Sequence, residues 1–202
     1  NAENFNTNEL YDVVTLIGVL EYSRVFISGD NPPLEMLRLA QSLLKPEGIL
    51  IIAIENRFGL KYFAGAPEDH LSIPYSGIND HYQQNTAITF GRQQLGRLLE
   101  TAAFGQFAFL FPFPDYKLPN VIITETGLRH PEAPEIFGNL LTQQSLHGQG
   151  RPYIGAFSEQ SVWRGIAEEG IVDSVANSFL VLASANDQLP LTLSAQFNVT
   201  CA

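Results

Sequence analysis

The sequence holds a single cysteine, Cys201, in 202 residues. One thiol makes no internal disulfide, so a disulfide scaffold is excluded, and a cysteine-ligated zinc site with it. Basic residues are scarce as well: 11 Lys and Arg stand against 21 Asp and Glu, a formal charge of -10. That balance disfavours a protein held to nucleic acid through its phosphate backbone. Long apolar runs are missing; a stretch such as Gly48 to Ile54 falls far short of the roughly 20 residues that a membrane-spanning helix needs. No basic-then-apolar signal opens the chain, and the expected compartment is the cytoplasm. Charged residues make up only 16%, beside 45% hydrophobic and 11% aromatic positions. That is the composition of a folded chain with a real core rather than of a disordered segment.

The residues that are present order themselves as strand, helix and strand. Tyr11 to Leu20 is an apolar, β-branched run too continuous to alternate, the pattern of a strand covered on both faces in a parallel sheet. Asn31-Pro32-Pro33 supplies a cap and a proline for the first helical turn, and Leu34, Met36, Leu37, Leu39, Ala40, Leu43 and Leu44 give the helix its apolar face. Lys45-Pro46-Glu47-Gly48 stops it, and Ile49 to Ile54 is a second strand. The unit has the length of a right-handed βαβ crossover, so the expected fold is an α/β sheet. Glu55 to Ala87 is long, aromatic and without period, and a loop of that length in a compact domain is usually functional. Thr89 is expected to cap a further helix through Leu95, Leu98, Leu99 and Ala102. Phe107 to Phe113 and Val121 to Thr124 then read as an antiparallel pair closing the sheet. Beyond Gly127 the texture changes, with helices expected at Pro134 to Gln144 and at Ser158 to Gly170, capped by Ser158, and a strand at Ser178 to Ala185.

Several strings in this order resemble one family. Tyr11-Asp12-Val13-Val14 running to Val19-Leu20-Glu21-Tyr22, Leu43-Leu44-Lys45-Pro46-Glu47-Gly48, the strand Ile49 to Ile54, and Leu98-Leu99-Glu100-Thr101-Ala102-Ala103-Phe104 are similar to the C-terminal half of class I S-adenosylmethionine-dependent methyltransferases. Tyr22 stands where that family usually has His, Glu47 where it has the first Gly, and Ala103 where it has Gly. Asn56-Arg57-Phe58-Gly59-Leu60-Lys61-Tyr62, Pro67-Glu68-Asp69-His70, Phe113-Pro114-Asp115-Tyr116-Lys117-Leu118-Pro119 and Asn177-Ser178-Phe179-Leu180 look like a subgroup found in bacterial proteins that make surface polysaccharides. The resemblance implies a Rossmann-like sheet, parallel strands ending in an antiparallel pair, over residues 3–126, and a mixed α+β extension over 127–202. It implies S-adenosylmethionine as cofactor and a saccharide or other small acceptor methylated on oxygen. The cofactor's glycine-rich loop and the carboxylate for its ribose belong to the first half of such a domain. No G-x-G-x-x-G occurs, and Gly148-Gln149-Gly150 is followed by Arg151-Pro152 rather than by a helix start. The chain therefore reads as half of a catalytic domain, inactive alone, whose free sheet edge would take the missing half or a second copy.

Ligands of open α/β sheets lie beyond the carboxyl ends of the strands. Gly18, Leu20, Glu21 and Tyr22 follow the first strand and, by the resemblance, border the cofactor. Glu55, Asn56 and Arg57 follow the second, and Asn56 and Arg57, with Tyr62, His81 and Tyr116, are the expected acceptor-side residues. A poorly nucleophilic hydroxyl acceptor needs a base, for which His70, oriented by the adjacent Asp69, and Glu21 are the candidates. Plainer readings stand beside each: a solvated or capping carboxylate for Glu21, backbone satisfaction for Asn56 and Arg57, surface imidazoles for His70 and His81, and loop anchors for Tyr62 and Tyr116. The four histidines show no H-x-x-x-H spacing, and no metal is expected. Asn198-Val199-Thr200 fits a glycosylation sequon, which says nothing without secretion. The alternative to an enzyme is a non-catalytic interaction or glycan-binding module.

Overall fold

The computed structural model describes residues 9–140, 155–184 and 186. The latter part of the predicted 134–144 helix, Gly148-Gln149-Gly150, the sequon and Cys201 lie outside them.

The expected α/β architecture is the one found. Strand β1 (Tyr11–Ile17) is followed by a 3-10 turn (Leu20–Tyr22), a short helix α1 (Ser23–Phe26), helix α2 (Pro32–Ser42) and strand β2 (Leu44–Glu55). β1 and β2 pair in parallel, from Val13 opposite Ile49 to Ile17 opposite Ala53. Asn31 caps α2 as expected, its Oδ1 accepting from Leu34 N at 3.4 Å, and the helix buries Leu34, Met36, Leu37 and Ala40. The helix stops at Ser42, so Leu44 belongs to the strand. β2 runs through the predicted stop at Lys45 to Gly48, where the register jumps from Tyr11 opposite Leu44 to Val13 opposite Ile49.

After β2 come α3 (Leu60–Phe63), α4 (Arg92–Thr101), β3 (Gln106–Phe113), β4 (Val121–Thr124), α5 (Glu125–Leu128), α6 (Ala133–Leu140), α7 (Glu159–Glu168), α8 (Val172–Val175) and β5 (Ser178–Ser184). The sheet order is β1-β2-β5-β3-β4. β3 and β4 form the predicted antiparallel pair, and β5, from the stretch the sequence set apart as an extension, inserts antiparallel between β2 and β3. Leu50, Ile52 and Ile54 of β2 and Phe179 and Val181 of β5 share one buried cluster with Leu34, Leu37, Leu95 and Leu99. At the β3 end, Phe113 contacts Phe137 and Trp163 edge to face at 5.2 and 5.3 Å, which ties α6 and α7 to the sheet.

Three expectations are corrected. β1 is not covered on both faces: it is an edge strand, paired among the described residues only with β2, and Val13 and Ile17 are 49% and 57% exposed. Val14 and Leu16 turn to the core instead, so an apolar run does not by itself distinguish a central strand from an edge. Thr89 does not cap α4; the helix starts after Gly91, against which Phe58 packs so closely that a Cβ would meet the ring at 2.9 Å. Thr89 is buried beneath Tyr82, their oxygens 2.6 Å apart. Ser158 does sit at the cap position of α7, but its side chain makes no capping bond.

Candidate functional site

The site is built where β1 and β2 end. Gly18 N donates to Ala53 O at 2.9 Å, holding the end of β1 against β2. Gly18 has φ +62°, a conformation that favours glycine, and a Cβ there would crowd Tyr116 Oη at 3.0 Å. The chain then tightens into the Leu20–Tyr22 turn, which sends Leu20 into the core and buries Glu21 completely. Among the described residues no other residue gives either Glu21 oxygen a hydrogen bond.

Beside Glu21 lies His70, on the loop that carries Glu68 and Asp69. Its Nε2 is 3.9 Å from Glu21 Oε1 and also lacks a hydrogen bond. Its Nδ1 is 2.8 Å from Tyr22 Oη. Asp69, expected to orient the imidazole, is instead paired with Lys117, and Tyr22 occupies the ring nitrogen. Lys117 also reaches Glu55 Oε1 at 2.7 Å, and Lys61 lies 3.4 Å from the same oxygen and 2.9 Å from Asp115 Oδ2. Tyr62, buried, donates to the other Glu55 oxygen. The turn after β1, the end of β2, α3, the 68–70 loop and the β3–β4 connection thus meet in one charged cluster.

The electrostatics single out two carboxyls. Burial pushes Glu21 up to about 7, assisted by the Glu55 charge and opposed by its own backbone N–H and by Lys117. Burial likewise pushes Glu55 up to about 7, with Asp69 adding to the rise and Lys61 and Lys117 opposing it. Burial works to raise Asp69 too, but its bond with Glu55 and the two lysine charges prevail and hold it at about 2. Burial and then Lys117 lower His70 and favour the neutral imidazole, against the opposing pull of Asp69. Tyr116 is raised by burial and by Glu21 and Glu55. A carboxyl poised near neutrality beside a neutral imidazole is a proton-handling arrangement.

The other predicted residues lie elsewhere. The Asn56 side chain is committed to backbone: Nδ2 donates to Ser174 O and Ala176 O at 2.9 and 2.8 Å, and Oδ1 accepts from Phe58 N at 3.0 Å. Arg57 donates to Gly77 O at 2.6 Å, pairs with Asp80 at 2.9 Å and lies over Phe58 and Tyr82. It fastens the 77–82 loop. His81, on that loop, is exposed. Sequence reasoning missed Lys61 and Lys117; the available signal was a lone lysine within each of two aromatic, proline- or glycine-bearing strings. Among the described residues no group of three or more His, Cys, Asp or Glu is arranged to hold a metal, and no helix is long and apolar enough to cross a membrane.

Of the two buried carboxyls, Glu55 is taken up by Lys61, Lys117 and Tyr62, so Glu21, in the turn after β1, is the group left to face S-adenosylmethionine or its acceptor; no G-x-G-x-x-G occurs in the sequence. No family model matches the chain, and no curated protein matches it. Among solved structures it is similar to an S-adenosylmethionine-dependent methyltransferase, a possible histamine N-methyltransferase, from Thermotoga maritima, with 15% identity and a TM-score of 0.45. The match covers 92% of this chain and 61% of that one. At that identity and score the likeness assigns no family.

Proposed function

We propose that this chain is the C-terminal half of an S-adenosylmethionine-dependent methyltransferase domain that methylates oxygen of a saccharide or another small acceptor in surface-polysaccharide biosynthesis in the cytoplasm. The observation that carries the reading is the fully buried Glu21, its oxygens without a partner residue among the described residues, beside the likewise unpartnered Nε2 of His70 at the carboxyl end of β1. When bound, S-adenosylmethionine supplies a methyl group on a sulfonium sulfur that departs as a neutral thioether. The Gly18 to Tyr22 turn borders that group. The acceptor hydroxyl would lie against Glu21 and His70, with Glu21 taking its proton as its oxygen gains the methyl, and Tyr116 and Lys117 would close the site against water. Residues 127–202 are the extension that lends β5 to the sheet.

The test is transfer of labelled methyl from S-adenosylmethionine to saccharide acceptors by the natural protein. Glu21→Gln is expected to lower the rate about 100-fold or more; an unchanged rate overturns the assignment. The present chain alone is expected to bind the cofactor no more tightly than about millimolar in calorimetry. Micromolar binding would relocate the whole cofactor site into it.

A second reading, a non-catalytic interaction or glycan-binding module, is favoured by one observation, the exposed Val13 and Ile17 on the edge of β1 that no described strand pairs. Such an edge associates readily, either with a preceding half-domain or with a second copy.

A further inference from the structure

Glu21 and Tyr22 are consecutive residues of one turn, yet they address opposite nitrogens of the same imidazole. Tyr22 Oη meets Nδ1 at 2.8 Å, with the two rings edge to face at 5.0 Å and 78°. Glu21 Oε1 faces Nε2 at 3.9 Å. A neutral imidazole carries one N–H, and the bond made at one nitrogen decides which lone pair the other presents.

We propose that Tyr22 is a positioning residue: its hydroxyl donates to Nδ1, holds His70 as the Nε2–H tautomer, and so makes His70 the donor to the acceptor oxygen while Glu21 takes the proton. This assignment rests on the reading of Glu21 and His70 as the proton-handling pair and divides the work between them. The opposite tautomer would aim the Nε2 lone pair at the lone pairs of a buried carboxylate, a repulsion in a site with little water to screen it. It would also leave the phenol proton without the one partner that the described residues give it.

The surrounding charges agree. His70 is faced by Lys117 and Lys61, which disfavour the imidazolium, and by Asp69, which Lys117 pairs. Glu21 is faced by Glu55 of β2 and by Tyr116 and Lys117 of the β3–β4 connection. The gap of 3.9 Å is too long for a direct hydrogen bond. An oxygen placed about 2.8 Å from both atoms subtends roughly 90° between them, so the spacing suits a single hydroxyl that donates to Glu21 and accepts from Nε2–H; both atoms are sealed from solvent, so the hydroxyl reaches them only as the loop carrying His70 draws back. As the oxygen–methyl bond forms, the hydroxyl proton passes to the Glu21 carboxylate, and the sulfur keeps the electron pair of the bond it loses.

Nitrogen-15 NMR of the histidine side chains in this chain at neutral pH tests the assignment without any activity, with His70→Gln identifying the resonances. The expected result is an Nε2–H tautomer in the wild type and a shift toward Nδ1–H in Tyr22→Phe. A wild-type Nδ1–H tautomer, or no change in Tyr22→Phe, overturns it. In the natural protein, Tyr22→Phe is expected to lower kcat about tenfold with KM for the acceptor unchanged; an unchanged kcat overturns the positioning role. The NMR result stands or falls apart from methyl transfer, so a failure of the functional reading is distinguishable from a failure of this one.

Discussion

His70 Nε2 lies 3.9 Å from Glu21 Oε1, and among the described residues neither atom finds a hydrogen-bond partner on another residue although both are buried. An unsatisfied buried polar group costs about 1–3 kcal/mol, so the fold holds this pair against its own stability. The loops that hold it are fastened from outside, through Lys117 to Glu55 and Asp69 and through Tyr22 to Nδ1. Local rules that fail together at the carboxyl end of adjacent strands are what a functional or a strained site produces.

The cost is measurable through pH. The Glu21 carboxyl titrates near 7 in the fold against an ordinary value of 4.5. A raised folded value means stability that is fully present below about pH 4.5 and is lost as pH rises through 7. Glu21→Gln, which cannot ionise, is therefore expected to be more stable than the wild type at pH 8, by up to about 3 kcal/mol. The difference should vanish near pH 4. Urea denaturation at the two pH values checks this, and a variant less stable at pH 8 would show that the carboxylate has a partner.

Lys117 gives the opposite sign. It pairs Glu55 and Asp69 together, and the Asp69 carboxyl is held at about 2. A depressed carboxyl contributes stability above its ordinary value that is lost as pH falls toward 2. Lys117→Met is expected to destabilise the chain by about 2 kcal/mol at pH 7, discounted from the range for fully buried pairs because the lysine is partly exposed. The penalty should shrink by pH 3, and an equal penalty at both would attribute it to packing.

Much of this was legible in the sequence because local chemistry and tertiary demand agreed. Asn31 with two prolines could only open a helix, and the Phe107 to Phe113 and Val121 to Thr124 runs could only meet across their short connection. The place of β5 was not legible, because a strand's partner in the sheet is set by long-range packing and Ser178 to Ser184 carries no mark of where it inserts. The site divided in the same way. Glu21 and His70 can be named as candidates from the sequence because they follow a strand end or stand in a motif, and the fold places them side by side. The partner of His70 was assigned to the neighbouring Asp69, and the 2.8 Å contact with Tyr22, 48 residues away, depends on how two loops meet. Asn56 shows the converse: position beside a strand end marked it as a ligand residue, while its amide is spent on Ser174 and Ala176 carbonyls.

The edge of β1 predicts association. Val13 and Ile17 are 49% and 57% exposed on an edge that no other described strand pairs, the setting in which sheets pair edge to edge. Sedimentation of the chain at rising concentration is expected to show self-association, and Val13→Lys with Ile17→Lys is expected to abolish it without loss of fold, since Val14 and Leu16 carry the packing. A wild-type chain that stays monomeric at high concentration removes support from the interaction-module reading.

Ala103 closes α4 in a conformation that suits another residue. It follows the helix with φ +64°, in the left-handed region that a Cβ disfavours by about 1 kcal/mol or more. Its N–H donates to Glu100 O at 3.0 Å and its carbonyl accepts from Gln41 Nε2 at 3.0 Å, so the backbone is pinned there from α2 and is not free to relax. Ala103→Gly keeps both bonds, removes the strain and loses only a methyl group, against a larger conformational entropy in the unfolded chain. The net expectation is a gain of up to about 1 kcal/mol in denaturant unfolding, with no change in the sensitivity to denaturant. A loss of stability would mean that the Ala103 methyl is packed rather than strained.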